Sequence, residues 1–307
     1  PALVRAITAG LAGGLLFLPW LPVFLFQMQH TGAPWAAAVH PRDLAGIIGV
    51  WSMSGSFTGS LLLLVMLALV VLGVAGRPGE NRSVVVDLRG LEPGRTLAAL
   101  VGATLLLAFL AGLSGGAFAG RYTSVVLVPG LLVMALGLRA FSDPRLRRGV
   151  LAAAVVLGLA GGVEPAFAER TQAGDIAEQV LAAAAPGDVV AYCPDQLGPS
   201  VSRLIPTEAG LRQVVYPTGG APAPVDWVDY AERNRAADGE EFAQRLDALA
   251  GDSEVWLVWM TGYRTFGRGC TDLAEGLEEL RPDAERVVEM DRRQGEPMQL
   301  VRFPAAG

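Results

Sequence analysis

The stretch "GGAFAGRYTSVVLVPGLLVMALGLR" places Arg121 and Tyr122 at the mouth of a long apolar run, among glycines at 115, 116 and 120 that offer no counter-charge. A guanidinium offers forked donors to phosphate oxygens and stays charged at any working pH. A tyrosine at the same depth can keep its ring in the membrane interface and turn its hydroxyl to a phosphate or a sugar. The chemistry this pair suits is capture of an anion that arrives with a lipid. The plainer account is an arginine snorkelling at a helix end, and the residues alone leave both open.

A second set of chemistry-bearing residues lies in "QMQHTGAPWAAAVHPRDLAGIIGVWSMSGSF". His30 and His40 are the only histidines, with Asp43 nearby and Trp35, Trp51 and Phe57 interspersed. Their spacing matches no metal motif, so a divalent metal is not expected, and acid–base work or hydrogen bonding to a substrate suits them better. Residues 44–51 are apolar but too short to span, and suit a helix lying in the interface, either as a roof over a site or as a simple anchor. Two cysteines, Cys193 and Cys270, are candidates for a disulfide if their segment is exported.

These residues need elements to position them. The chain has 307 residues and is 52% hydrophobic, with mean hydropathy +0.41. Residues 1–163 carry 11 Arg and 5 acidic side chains, and residues 164–307 carry 13 Arg and 25. The first part is apolar and mildly basic, the second polar and acidic. About 20 apolar residues cross a bilayer as a helix. Residues 7–26, 59–76, 96–113, 122–138 and 149–163 are the candidate spans, the last being the shortest. An outer loop covers 27–58. Arg5, the four arginines between the second and third spans, and the four between the fourth and fifth stand against only Arg42 and Arg121 on the other side. Nine against two sets the orientation: the 27–58 loop, Arg121 and the acidic tail all face outward. The expected location is the plasma membrane, multi-pass, with the C-terminal domain extracytoplasmic. The first residue is Pro1, with no leader pattern before the first apolar run, as expected of a C-terminal piece of a longer chain.

The tail alternates helices and strands. "AGDIAEQVLAAAA", "LGPSVSRLI", "EEFAQRLDALAG" and "CTDLAEGLEEL" read as helices, and "VVAYC", "QVVYP", "EVWLVWM", "ERVVEM" and "MQLVRF" as strands. The fold class is a multi-span α-helical membrane bundle followed by a small extracytoplasmic α/β domain. The tail has no glycine fingerprint after its first strand, no P-loop and no histidine, which removes nucleotide binding and a Ser-His-Asp set. "GYRTFGRGC" is either a binding loop, with Tyr263, Arg264 and Arg268 for a sugar or phosphate, or a solvated loop.

"LPWLPVFLFQMQHTGAPWA", "GRYTSVVLVPGLLVMALGL" and "PGDVVAYCPDQLGPSVSRLIP" together resemble the C-terminal half of an actinobacterial GT-C glycosyltransferase, of the polyprenyl-phosphate-sugar-dependent type akin to protein O-mannosyltransferases. The resemblance covers most of the chain. It implies a multi-span enzyme with its site on the outer face, taking a sugar from a polyprenyl-phosphate donor to an extracytoplasmic glycan, lipid or protein, with no cofactor and no nucleic-acid partner. It implies that Arg121 faces the donor phosphate; from the chemistry of the residues, Tyr122 is expected to join it, and His30, Trp35 and Trp51 to shape the sugar or acceptor pocket. It also implies a catalytic carboxylate in an early outer loop that this sequence does not contain, and Asp43 is not assigned that role. The reading from another class is a non-catalytic, membrane-anchored binding or scaffold protein whose outer α/β domain is the working part. A transporter fits less well, because the spans lack internal charges.

Overall fold

The computed structural model describes residues 2–31, 39–52, 56–87, 89–90, 92–113, 118–263 and 265–305, without the side chains of 2, 3, 6, 45, 48, 81, 121 and 164. The chain divides into two compact units, Pro1–Trp35 with Glu169–Gly307, and Ala36–Ala168.

In the first unit the opening apolar run is not one helix. Helix α1 (Ala2–Phe17) and helix α2 (Leu21–His30) are joined by a single 3-10 turn at Leu18–Trp20. Pro19 and Pro22 fall in the first turn of the 3-10 helix and of α2. Proline lacks an N–H, so it is tolerated where that group has no helical partner and breaks the ladder elsewhere. Phe17, Trp20 and Phe24 cluster over the junction, with ring centroids 5.1–5.6 Å apart. The two pieces together form one run long and apolar enough to cross a membrane, Ile7–His30.

The second unit holds α3 (Pro41–Ser52), α4 (Phe57–Ala75), a short antiparallel hairpin of β1 (Gly76–Pro78) and β2 (Val84–Val86), α5 (Gly94–Leu113), a 3-10 segment Gly120–Val126, α6 (Leu127–Leu138) and α7 (Pro144–Phe167). Helices α4, α5 and α7 are long and apolar enough to span. The short run is not 149–163, which belongs to the 24-residue α7. It is Tyr122–Leu138, and Pro129 gives the reason. An α-helix begun at Tyr122 would need the missing N–H of Pro129, whereas one begun at Leu127 places that proline in its first turn. Helices α4 and α6 meet backbone to backbone. A Cβ on Gly73 would stand 2.0 Å from the Val133 carbonyl oxygen, and one on Gly137 2.1 Å from that of Leu69. Small residues at such crossings let helices touch closely where no hydrophobic effect drives them together.

The rest of the first unit is a layered α/β domain. In chain order it has α8 (Ala173–Ala183), β3 (Val189–Cys193), α9 (Gly198–Ser202), β4 (Arg212–Val215), α10 (Tyr230–Ala236), α11 (Gly239–Ala250), β5 (Val255–Trp259), α12 (Gly269–Leu280), β6 (Glu285–Val288) and β7 (Gln299–Phe303). The sheet order is β4-β3-β5-β7-β6. Strands β4, β3 and β5 are parallel, and β7 runs antiparallel to both β5 and β6. All of β3 is buried, as expected of a parallel strand covered on both faces. Val189, Ala191 and Leu257 pack with Phe242, Leu246, Leu273 and Leu277 of α11 and α12. Val190, Trp256 and Val258 pack with Ile176, Val180 and Val201 of α8 and α9. A disulfide joins Cys193, at the end of β3, to Cys270 in the first turn of α12, with Cα atoms 5.5 Å apart.

Candidate functional site

Arg121 and Tyr122 sit in the 3-10 segment that opens the Tyr122–Leu138 run. The Tyr122 amide donates to the Ala119 carbonyl at 2.9 Å, and its ring is half exposed. The Arg121 side chain is outside the described set. Thr123, buried, donates its hydroxyl to the Gly120 carbonyl at 2.6 Å. Gly120 lies against α3, where a Cβ would come within 2.9 Å of Val50. Helix α3 therefore runs beside the arginine–tyrosine segment. Asp43 is engaged at the start of that helix, its carboxylate accepting from the His40 amide at 2.7 Å while its own amide donates to the His40 carbonyl at 2.9 Å. This reciprocal pair is a capping arrangement. Among the described residues no group of three or more His, Cys, Asp or Glu is placed to hold a metal ion.

Trp51, on the last turn of α3, lines an apolar cavity of about 200 Å³ bounded by Met66 and Val70 of α4, Val101 and Gly102 of α5, and Met134 of α6. Trp35 lies outside the described residues. His30 belongs to the other unit. Its Nδ1 is 2.9 Å from Asp229 Oδ1, its carbonyl accepts from the Asp229 amide at 2.7 Å, and its ring stacks on Phe26 with centroids 4.4 Å apart. Asp229 has φ of +51° and immediately precedes α10. The C-terminal end of α2 is thus bonded to the residue that precedes an α/β-domain helix.

That helix leads to a constellation the sequence reading missed. Open parallel sheets bind ligands beyond the carboxyl ends of their strands, where successive connections depart to opposite faces. Here β4 and β5 flank β3, and Cys193 pairs in register with Trp259 at the ends of β3 and β5. Just beyond Cys193, buried Asp195 accepts a hydrogen bond from the Tyr230 hydroxyl. Gln196 Nε2 donates to the same hydroxyl oxygen at 3.0 Å. Burial raises the Asp195 carboxyl above the ordinary carboxylate range, against the opposing effect of the Tyr230 bond. Burial and the adjacent carboxylate push the Tyr230 hydroxyl up. Asn234, on the next turn of α10, is buried beside the Tyr230 hydroxyl, yet neither of its amide atoms reaches hydrogen-bonding geometry. Trp227, Tyr263 and Phe266 add rings around Tyr230 and each other. Burial raises the Tyr263 hydroxyl as well. In the "GYRTFGRGC" loop Arg268 is engaged by Asp272 and Glu275, each at 3.0 Å, and Arg264 lies outside the described residues. The signal in the sequence was the "PDQLGP" segment, whose acidic residue lies two positions beyond a fully buried strand. No family model, curated protein or solved structure matches the chain.

Proposed function

We propose that this chain is part of an integral membrane glycosyltransferase of the GT-C type, moving a sugar, mannose in the first instance, from a polyprenyl-phosphate donor to an extracytoplasmic acceptor. The observation that supports it best is the placement of Arg121 and Tyr122 at the 3-10 mouth of an apolar helix, beside α3. In this reading the spans lie in the plasma membrane and the arginine-poor side, with the α/β domain, faces outward. Arg121 neutralises the phosphate as the bond between the anomeric carbon and the phosphate oxygen breaks. The acceptor oxygen forms the new bond and gives up its proton to a base that is assigned to no residue of this chain. A fixed cation aimed at the oxygen where charge develops is worth about a hundredfold or more in rate. The apolar cavity under Trp51 supports the reading as a wall for lipid. His30 and Trp35 would border the acceptor.

The test uses the full-length protein in proteoliposomes with a radiolabelled polyprenyl-phosphate mannose. Arg121→Glu is expected to lower turnover by about a hundredfold while the thermal unfolding profile is kept, and Arg121→Lys by less. Unchanged turnover in Arg121→Glu refutes the role. The scaffold reading draws instead on the unpartnered polar groups at the strand ends of the α/β domain. It expects no transfer by the wild type and an Arg121→Glu variant that keeps every tail-mediated interaction.

A further inference from the structure

The two edges of the parallel sheet treat buried polar groups differently. At the N-terminal edge they are paired. The Asp188 carboxylate accepts from the amides of Ala185 and Glu254 at 2.8 and 3.0 Å and from the Trp256 indole at 3.4 Å. Arg281 spends its guanidinium on Asp247 and three backbone carbonyls. At the C-terminal edge the pattern reverses. Among the described residues seven buried side-chain polar atoms lack a partner, and six of them belong to Tyr216, Arg233, Asn234, Trp259 and Thr265. Each of these residues lies at the end of β5 or on a connection leaving the C-terminal end of β4 or β5. A buried donor or acceptor without a partner has lost its bonds to water for nothing. A concentration of them at the switch point of an open sheet is the mark of a place where something polar belongs.

We propose that this edge of the α/β domain is a binding site for a neutral carbohydrate, recognised through its hydroxyls. The inference goes beyond sugar transfer at Arg121 and stands without it. The unpartnered set mixes donors and acceptors: the Trp259 indole N–H, the Asn234 amide with one of each, and the Thr265 hydroxyl, which is both. Sugar hydroxyls match such a mixture because each both donates and accepts. Asp195 supplies a further acceptor within the cluster. Trp227, 38% exposed, and the partly buried Tyr263 lie beside these groups, and an aromatic face suits the apolar side of a sugar ring. An anionic ligand fits poorly. Of the described cations nearby, Arg268 is engaged by Asp272 and Glu275, and Arg233 is paired with Asp226 at 2.5 Å with its Nε left over, while the buried Asp195 carboxylate faces the cluster. The site also joins the apolar helices of its own unit: α10, which carries Tyr230 and Asn234, starts directly after Asp229, the residue bonded to His30.

The experiment uses the full chain in detergent micelles. Methyl α-mannopyranoside, methyl β-galactopyranoside and methyl α-arabinofuranoside are titrated to about 10 mM, with glucose 6-phosphate as the anionic control, following tryptophan fluorescence and the melting temperature. At least one neutral glycoside is expected to raise the melting temperature, and glucose 6-phosphate to bind about tenfold more weakly or not at all. Asn234→Leu removes an amide that lies beside the Tyr230 hydroxyl outside hydrogen-bonding geometry. It is therefore expected to leave the melting temperature equal or higher while the glycoside shift disappears, the opposite of what a structural asparagine would show. Asp195→Asn keeps the shape and is expected to weaken glycoside binding about tenfold. The proposal fails if none of the three glycosides shifts the wild type. It fails equally if Asn234→Leu and Asp195→Asn keep the wild-type shift, which would leave trapped water as the partner of these groups. No lipid donor enters the assay, so failure of the transfer reaction is a separate result.

Discussion

Arg281 offers the sharpest test of what holds the α/β domain together. Its side chain is 1% exposed. Nε donates to Asp247 Oδ1 at 2.8 Å, Nη1 to the carbonyls of Ser253 at 2.8 Å and Pro304 at 3.0 Å, and Nη2 to that of Gly251 at 2.9 Å. One guanidinium thus ties the end of α11, the entry to β5 and the exit from β7. Arg281→Met keeps the apolar stem and removes every donor. Three carbonyls lose a partner at about 1 kcal/mol or more each. Asp247 is a third exposed, so water recovers part of its loss. The sum, about 3–4 kcal/mol, lies within the range for breaking a buried pair from one side. For a domain of this size that is a fall of roughly 10 °C in melting temperature. Hydrogen exchange at the amides of β3 and β5, measured by mass spectrometry on the full chain in micelles, reads the change where it acts. Arg281→Lys, which restores one charge and some of the bonds, is expected to fall between. A loss below about 1 kcal/mol for Arg281→Met would refute the reasoning, because the carbonyls would then have been satisfied by water all along.

Asp195→Asn has a predicted pH signature. A carboxyl whose folded pKa is raised contributes stability below the ordinary carboxylate value, and that contribution is lost as pH rises through the raised value. The variant lacks this loss, so its stability relative to the wild type should grow from about pH 4 towards neutrality, as followed by urea unfolding; parallel profiles would remove the burial argument. Gly137→Ala pushes a methyl against the Leu69 carbonyl 2.1 Å away and is expected to cost about 1–3 kcal/mol in the α4–α6 contact. Gly102→Ala meets nothing within 4 Å and is expected to be neutral or up to about 1 kcal/mol stabilising, both read from thermal inactivation in micelles. Replacing Cys193 and Cys270 by serine opens a crosslink that spans 77 residues, with an expected loss of about 4 kcal/mol in denaturant unfolding.

The apolar runs were legible because a bilayer span is a one-dimensional property: length and the absence of charge suffice. The strands of the tail were legible for a similar reason, since "VVAYC" and the "VWLVWM" that follows Glu254 are apolar without interruption and lie between polar or turn residues. Boundaries moved where proline decided them, at Pro19 and Pro22 in the first run and at Pro129 in the fourth. The β1–β2 hairpin escaped because its strands have three residues each, too few for a period. Helix α10, "YAERNRA", escaped because a seven-residue helix has little amphipathic signal and draws its stability from Tyr230 packed on Phe266 and Trp227.

By itself, then, the sequence determined the partition into apolar helices and an acidic α/β tail, and the residue types at Arg121 and Tyr122. These follow from local composition and periodicity, which need no knowledge of neighbours. Only the tertiary structure decided that His30 bonds Asp229 across 199 positions, that Trp51 faces an apolar cavity, and that Asp195, Tyr230 and Asn234 share one edge of a sheet. Burial, hydrogen bonding and raised pKa values depend on which distant segments exclude water from a group, and that is settled when the layers pack.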